Sequence, residues 1–110
     1  MKVFQSGKLL RVYIGELDTY DGEPLYQWLV AEARRQGLSG ATALRGLEGF
    51  GAHSELHTAK VLRLSVDLPV VIEIIDTDER IDAFLSVVDN VIDEGLATVE
   101  RVDMHLYRKN

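Results

Sequence analysis

A run of alternating apolar residues from Leu62 to Ile74 constrains the fold of this chain more than any other feature of its sequence. Side chains of a β-strand point alternately to its two faces, so this period of two predicts one strand with a single buried face. A strand that continued to Asp76 would span close to 50 Å at about 3.3 Å per residue. We therefore expect it either to kink at Pro69 or to extend beyond the body of the domain, with the preceding loop at one end of the molecule.

Three further segments are typical of strands. Alternating residues predict a first strand from about Lys8 to Gly15 and a last strand from Val102 to Tyr107. Residues 41–51 predict another, but their apolar residues change face part-way along it. Because a β-bulge adds one residue and restores the phase, and glycine tolerates its backbone, we expect a bulge at Arg45 and Gly46.

Two segments show the i, i+3, i+4 spacing of an amphipathic helix. The first begins at Pro24, which suits a first helical turn, and ends at Gly37, a glycine placed to cap the C-terminus. The second carries its apolar stripe from Ile81 to Ile92, with a start signal at Asp76 and a stop at Gly95. Both helices are expected to present one apolar face to a common core.

The order of these elements is βαββαβ. It fits an α+β fold of the ferredoxin-like type, a four-stranded antiparallel sheet with two helices on one face, in a single domain over residues 1–110. The helices leave the other sheet face uncovered, and apolar residues lie there beside charged ones, which indicates self-association. The residues that we assign to this face are Leu9, Arg11, Tyr13, Val71, Glu73, Ile75, Val99, His105 and Tyr107.

Composition excludes several classes of function. The 110 residues include no cysteine, which excludes disulfides and thiol chemistry. The net charge of -6 comes from 18 acidic and 12 basic residues, and it argues against binding to the phosphate backbone of nucleic acids. No apolar run approaches the roughly 20 residues of a membrane span, and no signal-peptide pattern opens the chain. We therefore expect a cytoplasmic protein.

Several motifs occur in a defined order along the predicted elements. The chain carries Gly22-Glu23-Pro24-Leu25-Tyr26, then Arg45-Gly46-Leu47-Glu48-Gly49-Phe50-Gly51, His57 and Asp67-Leu68-Pro69-Val70-Val71-Ile72-Glu73. In order and spacing this set resembles the PII-like family known as domain of unknown function 190 (DUF190), over about Lys8 to Arg108. That family is related to the nitrogen-regulatory PII signalling proteins.

The resemblance implies a PII-like signalling or regulatory protein that is not an enzyme. It implies a homotrimer with a small-ligand site in each cleft between subunits, no required cofactor, and AMP, ADP or ATP as a regulatory ligand. It also implies that the loop between the second and third strands docks on a target, either a membrane transporter or an enzyme. Val70 stands where PII proteins carry a lysine, so we do not expect ATP to bind as it does in those proteins.

The same resemblance assigns the site residues. The backbone of Gly49 and Gly51 would approach the ligand closely while Phe50 stacks on a base. Arg108 would contact a phosphate, because a guanidinium can hold two oxygens. The predicted ligand-binding residues are Thr42, Arg45, Gly49, Phe50, Gly51 and Arg108. The predicted partner loop, residues 51–60, includes Ala52, His53, Ser54, Glu55, His57 and Lys60.

Two other functions stay open at this stage. His53 and His57 are four residues apart, which on a helix would place two imidazoles on one face, with Glu55 between them. They suggest a small hydrolase of phosphate esters, although two ligands do not make a metal site and no nucleophile has a base at a readable spacing. The second alternative is an interaction module that binds no ligand and docks only through its loop.

Overall fold

The computed structural model describes residues 1–51, 57–58 and 67–109, with the backbone pairing alone at 57–58. The strands are β1 (Lys2–Gly15), β2 (Thr19–Tyr20), β3 (Glu23–Pro24), β4 (Thr42–Arg45), β5 (Glu48–Gly49), β6 (His57–Thr58), β7 (Pro69–Asp76) and β8 (Leu96–Tyr107). The helices are α1 (Leu25–Arg35) and α2 (Asp78–Val91).

Four of these strands form one sheet in the order β4-β7-β1-β8, and every neighbouring pair is antiparallel. Both helices pack against apolar residues on one face of it. This strand order and the βαββαβ connectivity of the main sheet are those of a ferredoxin-like fold, so the predicted fold class is confirmed. The short strands form two separate ribbons, β2 with β3 before α1, and β5 with β6.

The core lies between the sheet and the two helices. It is built by every second residue of the central strands, as the period of two predicted, and by the apolar stripes of both helices. Burial of one such large side chain contributes roughly 1.5–3 kcal/mol relative to exposure, so this layer holds the helices on the sheet. The largest fully buried side chains are Phe84, Leu10, Leu29, Ile72, Ile74, Ile81 and Val12.

Helix α1 has the boundaries that the sequence predicted. Pro24 occupies its N-cap, and Gly37 follows the C-cap with a φ of +81°, a conformation that glycine adopts without steric cost. The N–H groups of Gly37 and Leu38 donate to the carbonyls of Arg34 and Ala33, which satisfies acceptors of the last turn.

Helix α2 begins and ends differently from the prediction. Its N-cap is Thr77, whose hydroxyl accepts from the backbone N–H of Arg80, whereas Asp76 is the last residue of β7. Its C-cap is Ile92, so Gly95 does not terminate it. Gly95 instead lies where a Cβ would come within 2.6 Å of the Tyr13 carbonyl, which explains the glycine by close approach of two backbones.

The first and last strands are longer than predicted. β1 begins at Lys2, and β8 begins at Leu96 and pairs with β1 along its whole length. β7 ends at Asp76, opposite Lys8, so β1 and β8 continue beyond the sheet as a two-stranded extension. We call residues 2–7 and 102–107 the β1–β8 extension. The long predicted strand is described from Pro69 onward, and its part at 62–66 lies outside the described residues.

The sheet face opposite the helices is partly exposed, as expected, but some of its predicted residues lie elsewhere. Tyr13 and Ile75 are exposed there, whereas Leu9 is largely buried by its neighbours. Val99 was assigned to this face, but it pairs with Leu10 and therefore shares the face of the core residues. His105 and Tyr107 were also predicted on the uncovered face. The same register places both on the face of the core residues, because they pair with Phe4 and Lys2.

Candidate functional site

The chain leaves the edge strand β4 at Gly46, which divides the predicted strand over residues 41–51. The Gly46 N–H donates to the Pro69 carbonyl at 2.7 Å, and a Cβ on Gly46 would lie 2.8 Å from Pro69 Cγ. A Cβ on Gly49 would lie 3.1 Å from the same atom. Instead of the predicted bulge, the strand ends after Arg45. Both glycines allow the chain to pass close to the proline ring.

Phe50 and Gly51 follow β5 and point away from the core. Phe50 is 70% exposed, and a Cβ on Gly51 would meet no atom of the described residues within 4 Å. Gly51 does not have a positive φ, so its backbone conformation is open to any residue. Exposed backbone beside an unpacked aromatic ring fits the predicted role in contacting a ligand.

Arg45, the last residue of β4, forms an ion pair with a residue outside the segment 41–51. Its Nη2 contacts Oε2 of Glu16, the residue that follows β1. The Glu16 side chain is mostly buried whereas that of Arg45 is mostly exposed. Thr42 lies on the same strand, opposite Glu73 in the register. Arg45 and Thr42 therefore share the sheet edge that leads to Gly49 and to the exposed residues after it.

Arg108 lies at the opposite end of the sheet. It follows the β1–β8 extension, where its N–H donates to the Met1 carbonyl at 2.9 Å and its carbonyl accepts from the Met1 amino group at 2.7 Å. Arg45 pairs with Val70, near the start of β7, whereas Arg108 lies beyond its last residue, Asp76. Within one chain, five of the predicted ligand residues therefore lie on the continuous segment 42–51, whereas Arg108 lies at the other end of the sheet.

The region around Arg108 includes polar residues that the sequence did not predict. Asp76 is 4% exposed, and its two carboxylate oxygens accept from the N–H groups of Ser39 and Thr77 at 2.8 and 2.7 Å. The guanidinium of Arg80 donates to the Gly37 carbonyl at 2.7 Å. These contacts join the loop after α1 to the start of α2. The sequence could have indicated Asp76, because it is a charged residue at the end of an otherwise apolar strand.

The uncovered sheet face carries a small charged cluster among its apolar residues. Arg11 Nε donates to Glu73 at 2.9 Å, and its Nη1 donates to Glu100 at 2.6 Å. The hydrogen bond to Glu73, followed by that to Glu100, raises the pKa of Arg11, so this group is a fixed positive charge. A second chain that covered this face would meet satisfied charges beside exposed Tyr13 and Ile75.

Most of the predicted partner loop, residues 51–60, lies outside the described residues. Ala52, His53, Ser54, Glu55 and Lys60 lie outside the described residues. The backbone of His57 pairs with Gly49, and nothing is described of its side chain. Within residues 1–51 and 67–109, no group of three or more histidine, cysteine, aspartate or glutamate side chains could hold a metal ion.

Family comparison agrees with this fold and these motifs. The family model of DUF190, described as an uncharacterized ACR, matches residues 7–104. The chain belongs to the DUF190 family. A UPF0166 protein of Aquifex aeolicus is 39% identical over 97 residues, covering 88% of this chain and 91% of the relative. A UPF0166 protein of Methanocaldococcus jannaschii is 36% identical over 104 residues, covering 94% of each chain.

Solved structures show the same fold for this DUF190 protein. CPII of Thiomonas intermedia K12, a nitrogen regulatory PII-like protein bound to ADP, AMP and bicarbonate, matches with a TM-score of 0.66. Its sequence identity is 16%, and the match covers 93% of this chain and 91% of CPII. A protein of Thermus thermophilus described as PII-like matches with a TM-score of 0.63 at 20% identity, over 92% and 91% of the two chains. The fold is therefore PII-like.

The described part of the DUF190 chain contains no helix long and apolar enough to cross a membrane.

Proposed function

We propose that this DUF190 protein is a PII-like regulatory protein that binds an adenine nucleotide and catalyses no reaction. The observation that carries the proposal is the exposed backbone at Gly51 beside the exposed ring of Phe50, on a fold shared with CPII, which is described as bound to ADP and AMP. A purine base presents a flat apolar face and polar edges. An exposed aromatic ring and open backbone groups suit both features.

The nucleotide is proposed to lie between two subunits of a homotrimer. Within one chain, Arg108 and the Gly49–Gly51 segment lie toward opposite ends of the sheet. A phosphate contact from Arg108 to a base held at Phe50 therefore requires a second chain. The exposed Tyr13 and Ile75 on the uncovered face support such an assembly, because burial of apolar surface drives association.

The readout is proposed to pass through residues 51–60 to a target protein. Gly49 pairs with His57, so the start of this segment is joined directly to the backbone proposed to contact the nucleotide. A ligand that orders Gly49 to Gly51 would also restrict the residues that follow them. The interaction module without a ligand remains the second candidate, since exposed Phe50 could equally contact a protein.

Titration calorimetry against AMP, ADP, ATP and adenosine tests the proposal. We expect saturable binding of at least one adenine nucleotide, with one site per chain and weaker binding of adenosine. Sedimentation on the same sample should give three times the chain mass of 12.3 kDa. No binding of any of these compounds at millimolar concentration would reject the nucleotide function and leave the interaction module.

A further inference from the structure

A cleft of about 160 Å³ lies where β7 ends, between the β1–β8 extension and the start of α2. Its volume is smaller than the roughly 300–1,000 Å³ of pockets that enclose drug-sized ligands. We call it the Arg80 cleft. Its polar side chains come from separate segments of the chain, and they are Gln5, Ser39, Asp76, Thr77, Arg80 and Arg108.

Arg80 is held at this cleft by its own contacts. Its Nη1 donates to the Gly37 carbonyl at 2.7 Å and lies 3.9 Å from Oδ2 of Asp76. Among the described residues, its Nε and Nη2 groups donate to no acceptor. A guanidinium fixed through one nitrogen therefore keeps further N–H donors for a ligand.

Three other polar side chains of the cleft have no partner among the described residues. Within the described part of the chain, the amide of Gln5, the hydroxyl of Ser39 and the guanidinium of Arg108 make no hydrogen bond or ion pair. Each of them can donate a hydrogen bond. Met104, which is 5% exposed, forms part of the apolar wall beside them.

Asp76 also lines the cleft, and its charge is already compensated. Both of its oxygens accept backbone N–H groups, from Ser39 and Thr77, and its side chain is 4% exposed. The carboxylate of Asp76 therefore accepts hydrogen bonds from these backbone groups, and it also helps to hold Arg80. The cleft is lined by two guanidinium groups and one carboxylate, so its net charge is positive.

We propose that the Arg80 cleft binds a small oxyanion with the chemistry of phosphate or sulfate. Arg80 and Arg108 supply charge-assisted hydrogen bonds, and Ser39 and Gln5 supply neutral donors. All four donors belong to one chain. The proposal overlaps the proposed nucleotide function at one residue, Arg108, whereas Arg80, Ser39 and Gln5 are not among the predicted nucleotide residues.

The test is a titration of the full chain with inorganic phosphate, and separately with sulfate, followed by the backbone amide NMR signals of Ser39 and Thr77. We expect saturable shifts with one ion per chain. Arg80→Gln and Arg108→Gln should each weaken binding roughly tenfold, the effect of losing one charge-assisted hydrogen bond. Arg34→Gln is the matched control, because it removes the same charge from the exposed end of α1 and should leave binding unchanged.

Two results would overturn this proposal. One is the absence of saturable shifts at millimolar phosphate or sulfate, and the other is an equal loss of affinity in Arg34→Gln and Arg80→Gln. Since Arg80 also contacts Gly37, a thermal melt checks that its variant folds, and Arg108→Gln tests the site without that contact. Methyl phosphate as a third probe separates the two sources of the ion. Tighter binding than phosphate identifies a phosphate ester, and weaker binding identifies the free ion.

Gly51→Val separates this proposal from the nucleotide function. The variant should keep phosphate binding in the Arg80 cleft even if nucleotide binding is lost. Loss of phosphate binding in Gly51→Val would show that the ion needs the Gly49–Gly51 segment and would contradict the inference that the Arg80 cleft binds it without that segment.

Discussion

The N–H of Gly46 and the carbonyl of Pro69 form a 2.7 Å hydrogen bond at the point where the chain leaves the edge of the sheet. The same two residues are in close contact through the proline ring, since a Cβ on Gly46 would lie 2.8 Å from Pro69 Cγ. This pair joins β4 to the start of β7. It fixes the position from which Gly49 and the residues after it extend.

Gly46→Ala should destabilise the protein. The added methyl group must displace a rigid proline ring, and overpacking of this kind costs roughly 1–3 kcal/mol of the free energy of unfolding. Urea unfolding of the variant and of the wild-type protein measures the difference. Gly51→Ala is the control, because within residues 1–51 and 67–109 its Cβ meets no atom within 4 Å. Equal stability of Gly46→Ala and wild type would mean that the ring moves aside freely.

Gly51→Val should reduce nucleotide affinity without unfolding the chain. The added side chain meets no described atom near its Cβ, and the backbone at this position does not need glycine. It would nevertheless occupy the surface that we assign to the ligand. Calorimetry with ADP and a thermal melt of the same sample report the two effects. An unchanged ADP affinity would remove Gly51 from the site.

Arg108→Gln should weaken ADP binding roughly tenfold and leave adenosine almost unaffected, because only the former carries phosphates. This substitution is a better test than removal of residues 108–110, since truncation would also break the backbone hydrogen bonds between Arg108 and Met1. Competition binding with both compounds makes the comparison. Equal losses for nucleotide and nucleoside would indicate a role in assembly.

Ile75→Glu should dissociate the proposed trimer. The side chain lies on the uncovered sheet face and is 46% exposed in the single chain, so a glutamate there is compatible with folding but not with an apolar interface. Sedimentation should show the mass of one chain. Leu17→Glu, at an exposed position in the turn after β1, should remain assembled. A variant that keeps the wild-type mass would place the interface elsewhere.

Glu32→Gln should change how stability depends on pH. Hydrogen bonds from Arg35, and then from Gln36, lower the pKa of Glu32 from 4.5 to about 2. A lowered folded-state pKa stabilises the protein above the unfolded value, and this contribution is lost as the pH falls from 4.5 towards 2. The stability difference between wild type and Glu32→Gln, measured by urea unfolding, should therefore shrink on acidification. A constant difference would contradict this assignment.

Periodicity predicted most of the fold because burial alternates with the same period as the side chains. The core residues of β7, such as Ile72 and Ile74, and the stripe of α2 around Phe84 followed directly. The orientation of β8 could not be predicted in this way, because Val102 and Met104 alternate as residues that face the helices would. These residues lie where β1 and β8 extend beyond β7, and Met104 packs over Gly7 there. Alternation alone cannot tell which neighbour covers a strand.

The candidate site was less accessible to sequence reasoning. The motif around Gly49 could be located because its residues are contiguous, and family resemblance supplied a function for it. The Arg80 cleft could not, because Gln5, Ser39 and Arg108 come from distant parts of the chain and are ordinary surface residues in sequence. Only the register of the sheet brings them to one end of β7.

The pairing of β1 with β8 along the whole length of the last strand has a consequence for the order of folding. This ladder joins the first and last strands of the described sheet, so it combines the longest strand pairing of that sheet with a very large sequence separation. Contacts of this kind slow folding, because the entropy of closing the intervening chain is lost before they form. During synthesis, Leu10 and Val12 have no partners on β8 until Ala97 and Val99 have been made. We expect the nascent protein to depend on early docking of α1 and β7 to keep that strand from aggregating.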